Sequence, residues 1–325
     1  MLMPDTSPVS RTCTAFRASA GPRPAPALAR RPAALWLGGL LCLTAAVLFL
    51  ARPAAAATPA AVVSGVQMPA WVESANGTRT PLAPGMELKA GEQVRTGAQA
   101  RLLLRLAEGS QVKLGENGLL RIDELRPDQG GAFRAAMRVA EGAFRFTTDA
   151  LAKHRRRDVN VLVSNITIGI RGTDLWGKSD PDRQLVCLIE GKIEVAPPGE
   201  AALNLDTPLQ FYVREKGKSQ PVAKVDPAQL AQWALETEIA PGTGAARAGG
   251  RWKVTLASAD NQQDALALYD RVRNAGYAAQ IRPVKAGEAL AYEVRISQLP
   301  SKAEAEVLAA RMKTAMGVAE PKVSQ

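Results

Sequence analysis

From Ala61 to Tyr212 the apolar positions recur in short runs separated by glycine-bearing turns. The runs are Val62–Val66, Met86–Leu88, Gln93–Arg95, Ala100–Leu106, Gln111–Leu114, Leu119–Leu125, Phe133–Val139, Ala143–Phe146, Val159–Ile170 and Leu185–Val195. Apolar and polar residues alternate in Arg101–Leu106 and Gln111–Leu114, the period of half-buried strands. Ala75-Asn76-Gly77, Pro84-Gly85, Glu108-Gly109-Ser110 and Glu116-Asn117-Gly118 supply turns. The pattern predicts an all-β sandwich, roll or solenoid, with no helix-length period in this region.

The period changes at Asp226-Pro227, an N-cap followed by proline in the first turn. A helix is predicted through Glu238, with Leu230, Trp233 and Ala234 on one face, closing the β region. Ala240–Gly250 reads as a flexible linker by composition. Arg251–Ala319 then repeats one unit. Strand Trp252–Ala257 precedes a helix from Asn261 to Gly276, and strand Tyr292–Ser297 precedes a helix from Ser301 to near Gly317. Each helix opens on a cap with an acid three residues later, Asp264 and Glu304, and closes on glycine. Further strands are predicted at Tyr277–Pro283 and Val318–Val323. The order βαββαβ places both helices on one face of a four-stranded sheet and leaves the other open. Alternation turns Trp252, Val254, Leu256, Tyr292, Val294 and Ile296 toward the helices. It turns Lys253, Thr255, Glu293 and Arg295 outward, where Gln280 and Arg282 join them.

At the other end, residues 1–32 are rich in Pro, Ala and Arg, with no apolar period, and read as a disordered tail. Ala33–Ala51 is an apolar run of 19 residues preceded by Arg30 and Arg31 and followed by Ala54–Ala57. It fits a signal peptide with a small-residue cleavage site near Ala55-Ala56-Ala57. It also fits a single inner-membrane anchor with a cytoplasmic tail. The alanine cluster favours cleavage, and both readings export everything after residue 57. The expected organisation is therefore a tail with signal or anchor (1–57), a β domain with its closing helix (58–239), the linker (240–250) and a small α+β domain (251–325).

Charge alters this picture little. Residues 1–57 hold six arginines against Asp5, which accounts for +5 of the net +10. The body is mildly basic and lacks the concentrated field of a nucleic-acid binder, so no nucleic-acid partner is expected. Beyond residue 57 the only cysteine is Cys187, in an apolar strand, so it reads as a buried inert thiol with no disulfide partner. The single histidine, His154, has no Ser or Cys in a catalytic arrangement. No metal, cofactor or enzymatic activity is expected. Lys153-His154-Arg155-Arg156-Arg157 reads as a solvated hairpin loop rather than a patch for anionic surfaces.

Gly169-Ile170-Arg171-Gly172-Thr173 stands out because an arginine is set between glycines in a β-branched strand pair. Gly169, Arg171, Gly172 and Thr173 are read as a structural motif, with Arg171 satisfying strand carbonyls or an acid such as Asp174. Residues 62–215 resemble a FecR domain. The resemblance rests on Gly91-Glu92-Gln93-Val94-Arg95-Thr96-Gly97, Leu106-Ala107-Glu108-Gly109-Ser110, Leu114-Gly115-Glu116-Asn117, the Gly169–Asp174 motif and Cys187–Val195. It implies a periplasmic all-β domain. In signalling members this domain links an outer-membrane receptor to a sigma factor through a cytoplasmic helical segment. Residues 1–32 are too short and too rich in proline to be that segment, which weighs against sigma regulation.

Residues 251–319 resemble a SPOR domain, carried by Arg251–Ser258, Ala275-Gly276-Tyr277, Tyr292–Ile296 and Ser301–Glu306. The resemblance implies a domain that binds peptidoglycan glycan strands stripped of stem peptides on its open sheet face. Thr255 stands where the family commonly has glutamine, Glu293 where an arginine is common, and Ser258 matches the pattern. Lys253, Thr255, Ser258, Gln280, Arg282 and Arg295 are the expected glycan-binding residues, each a hydrogen-bond donor or acceptor to sugar hydroxyls and acetamido groups. The expected function is a non-enzymatic envelope protein that holds denuded glycan strands, with the FecR-like domain as a partner-binding module. The alternatives are an envelope signal transducer acting through protein contacts, or a scaffold whose two domains both bind proteins.

Overall fold

The structure, a computed structural model, describes residues 59–127, 132–148, 157–170, 172–287 and 289–325. The tail, the candidate signal or anchor at Ala33–Ala51, Lys153–Arg156 and Arg171 lie outside the described residues.

The β region is a sandwich of two sheets. One places Ala61–Gln67, Arg101–Leu106, Gln111–Leu114, the end of Phe133–Thr147, Asp174–Ser179, Arg183–Glu190 and Gln210–Glu215 side by side. The other orders Arg79–Pro81, Ala70–Glu73, Gln93–Thr96, Leu119–Pro127, the start of Phe133–Thr147, Arg157–Val163, Ile166–Ile170, Ile193–Ala196 and Leu203–Leu205. Sequence pattern splits Phe133–Thr147 into two strands at Gly142. The structure instead runs one 15-residue strand through both sheets. Gly142 sits at the crossing with φ +87, and a Cβ there would stand 2.7 Å from the Cα of Gly118. Only glycine turns the chain there without strain. The Val159–Ile170 run is likewise a hairpin, bent at Ser164. Alternate residues fill the space between the sheets: Val63, Leu104, Phe144, Phe146 and Leu188 from one, and Leu120, Met137, Val161 and Ile168 from the other, all nearly inaccessible.

The predicted closing helix is present over Pro227–Leu235, with Asp226 accepting from the Ala228 amide at 2.8 Å. It ends three residues before the predicted limit, because Glu236 and Glu238 leave the helix to pair with cations. Its inner face covers the outside of the first sheet. Trp233 stacks on Trp176 at 5.2 Å and meets Phe211 edge-on at 6.0 Å. Leu185, Cys187, Val213 and Val225 complete this second, smaller core.

The C-terminal domain has the predicted βαββαβ order: Trp252–Ala259, helix Gln262–Asn274, Gln280–Ala286, Ala289–Leu299, helix Lys302–Met316 and Lys322–Ser324. Its four strands are antiparallel, in the spatial order second, third, first, fourth. Asn261 and Ser301 cap as expected, accepting from the Asp264 and Glu304 amides. The expectation of a flexible linker at 240–250 does not fit. Ala246–Arg247 pairs with Gly65–Val66, and three linker amides donate to the Glu304 carboxylate. Composition reports intrinsic stiffness and is blind to such tertiary acceptors.

Among the described residues, no helix is long and apolar enough to cross a membrane, and no cluster of His, Cys, Asp and Glu has the makings of a metal site.

Candidate functional site

The outer face of the C-terminal sheet brings the expected residues together through strand register. Gln280 lies opposite Arg295, Arg295 opposite Thr255, and Thr255 opposite Lys322, so one row crosses all four strands. The next row is Arg282, Glu293 and Ser258. Directly opposite residues on one face approach closely enough for their side chains to act together. Ser258 is the instructive member. Simple alternation from Trp252 sends it inward with Val254 and Leu256. A bulge between Thr255 and Ala257 shifts the phase, so Ser258 pairs with Glu293 and faces out.

Lys253 lies one row further along, opposite Ser324, with its Nζ donating to the Gln325 carbonyl. One of its three donors is engaged there, one row away from the other five. Gln280, Arg282 and Ser258 are exposed, Arg295 is half-buried, and Thr255 is buried at 9% exposure. An Arg295 guanidinium nitrogen is 3.9 Å from the Glu293 carboxylate, and Arg282 donates to Gln280 at 3.5 Å. Neither contact is tight enough to saturate these donors. The face therefore offers two guanidinium groups, an ammonium from Lys322, a carboxylate, an amide and two hydroxyls. Such groups match neutral sugar hydroxyls, amides and carboxylates. Sequence reasoning missed Lys322, because a three-residue strand is too short to show alternation. It also passed over Val284, which lies opposite Ala291 and continues the same face in the next register position.

The Gly169–Thr173 motif lies in the β sandwich, far along the chain from this face. Gly169 faces out of its strand between Asn160 and Glu194. Thr173 is buried and donates its hydroxyl to the Lys192 carbonyl at 2.9 Å. Its amide donates to Thr148 Oγ1 at 3.0 Å, and its carbonyl accepts from the Thr148 amide. Asp174, a candidate partner for Arg171, is held by Arg145 through two bonds of 2.9 and 2.7 Å and by Thr147 at 3.1 Å. The hydrogen bond to Asp174 raises the Arg145 pKa above its ordinary value, against the opposing effect of burial. Glu238 adds a second acid to Arg145 at 3.2 Å and also takes Lys113. Lys178, whose pKa is raised by its hydrogen bond to Glu236, makes the neighbouring pair at 2.9 Å. Together these pairs fasten the end of the closing helix to the sheet. Burial pushes the Cys187 thiol up to about 12, so it is a neutral core group and not a nucleophile.

The architecture is thus an all-β sandwich joined to a small α+β domain with one uncovered, polar sheet face. Residues 92–194 match the family described as FecR protein, and residues 248–321 match the SPOR domain. The chain carries both domains, in that order. These are non-catalytic binding and regulatory families, and SPOR domains bind peptidoglycan. No curated protein matches the chain. Two crystal structures of "a putative anti-sigma factor" from Parabacteroides distasonis are similar in part, each 14% identical and covering 69% of this chain. They are covered over 92% and 91% of their own length, both with a TM-score of 0.37. At that score the likeness carries no argument about function.

Proposed function

We propose that this protein is an exported envelope component that holds denuded peptidoglycan glycan strands on the outer face of its C-terminal sheet. Thr255, Ser258, Gln280, Arg282 and Arg295 donate to or accept from sugar hydroxyls and acetamido groups, and Lys253 contributes from the edge. The FecR domain serves as the module that meets an envelope protein. The observation that carries this reading is the register, which aligns polar and cationic side chains from all four strands in adjoining rows. Purified sacculi, with and without amidase treatment, test it. The full chain is expected to sediment with amidase-treated sacculi, and an Arg282→Ala/Arg295→Ala variant to stay in the supernatant. Wild-type protein that remains soluble with both preparations overturns the reading.

The second reading is an envelope signal transducer working through the FecR domain, favoured by the match over 92–194. Crosslinking in cells that recovers a receptor or a sigma-regulating partner would support it. Export by a cleaved signal peptide is preferred to a retained anchor, and N-terminal sequencing of the mature protein decides between them.

A further inference from the structure

Four glycines in the eleven residues 240–250 ordinarily leave a chain mobile. Here one buried carboxylate collects the backbone. Glu304, 7% exposed, accepts from the amides of Gly242 at 2.6 Å, Gly244 at 2.5 Å and Ala245 at 3.1 Å. Arg311, two turns further along the same helix, bridges to both sides. One guanidinium nitrogen donates to the Thr243 carbonyl at 2.9 Å and the other to the Met68 carbonyl at 3.1 Å. Met68 belongs to the β sandwich, so a single side chain spans sandwich, linker and C-terminal helix.

The same edge of the sandwich is gripped again at the end of the other helix. The Ala70 amide donates to the Gly276 carbonyl at 3.0 Å, and the Ala278 amide points to the Met68 sulfur at 3.3 Å. Arg273 reaches the Arg79 carbonyl at 3.3 Å. Gly276, with φ +87, lies so close that a Cβ would be 2.8 Å from the Trp71 ring. All of these contacts use the helical layer of the C-terminal domain, opposite the row of Gln280, Arg295, Thr255 and Lys322.

We propose that the C-terminal domain is a docked module and not a tethered one. Its helical layer is an interaction surface for the sandwich edge Met68–Trp71 of the same chain, clasped by Glu304 and Arg311. Whatever binds the outer sheet face then fixes the orientation of the FecR domain, and no external partner uses the Met68–Trp71 edge. The proposal goes beyond glycan binding and stands whether or not the sheet face takes a glycan.

Trypsin cleavage of the full chain after Arg247 and Arg251 reads the clasp directly. In the wild type both bonds are expected to resist while the chain is folded, and any cut halves to co-elute on gel filtration. Glu304→Ala and Arg311→Ala are each expected to speed cleavage there by more than tenfold and to release two folded parts. Arg311→Ala removes the clasp without touching the Ser301 cap, and circular dichroism of the released parts separates undocking from misfolding. The proposal fails if wild-type cleavage matches that of a free peptide of the same sequence, or if the wild-type halves separate. It also fails if both variants, folded, cleave as slowly as the wild type.

Discussion

The outsides of two sheets in this molecule are built from opposite kinds of residue. The strands Asp174–Ser179, Arg183–Glu190 and Gln210–Glu215 turn Trp176, Leu185, Cys187, Phe211 and Val213 outward, and the helix Pro227–Leu235 lies over them. The C-terminal sheet turns Thr255, Ser258, Gln280, Arg282, Glu293, Arg295 and Lys322 outward, and four of these are exposed. A face of aromatic and branched side chains gains by leaving water and therefore recruits a lid. A face of charged and hydroxyl groups loses by desolvation unless a ligand replaces the water group by group. Stability is thus concentrated on the first face, and the proposed recognition falls on the second.

Substitutions can break that division. Trp176→Ala removes one of the largest fully buried side chains and the stack with Trp233, and is expected to cost about 3–5 kcal/mol in denaturant unfolding. The sheet-face variant Arg282→Ala/Arg295→Ala is expected to change stability by no more than about 0.5 kcal/mol while abolishing retention on amidase-treated sacculi. If it unfolds the domain instead, the second face is structural and the contrast collapses.

The covered face also predicts a pH response. Because burial raises the Cys187 thiol to about 12, its contribution is complete below the unfolded thiol value of about 8.5. It declines as pH rises toward the folded value, since only the unfolded thiol ionises in that interval. Unfolding midpoints measured from neutral to strongly alkaline pH are expected to fall more for the wild type than for Cys187→Ala. The native thiol should also ignore thiol reagents until the protein unfolds.

The smallest effect is expected at the rim of the lid. Lys178 and Glu236 are both more than a third exposed, and removing either should cost less than about 1 kcal/mol. A double-mutant cycle on this pair that returned several kcal/mol would show the lid to be held by charge and not by its aromatic stack.

Much of this was legible beforehand. Short alternating runs and glycine turns are local signals, and they indicate a β sandwich and a βαββαβ domain because strand and helix periods follow from side-chain direction alone. The caps at Asp226, Asn261 and Ser301 were legible for the same reason. The outward row was mostly legible, since Thr255, Arg295, Gln280 and Arg282 follow simple alternation. Ser258 was not legible from alternation, because the bulge beside Leu256 depends on what the neighbouring strand requires.

Glu304 marks the boundary most clearly. By spacing it is a helix-start acid three residues after Ser301, and that spacing is all the sequence contains. Its carboxylate is instead committed to Gly242, Gly244 and Ala245, some sixty residues earlier in the chain. Gly142 is a second case, where a residue that looks like a turn is a bend within one strand shared by two sheets. The sequence by itself determined the elements, their caps and the sides on which apolar residues fall, because these are properties of neighbouring residues. Only the tertiary structure decided which strand is shared, where a bulge resets the phase and which distant amides a buried carboxylate collects. Those depend on groups brought together after the chain has closed on itself.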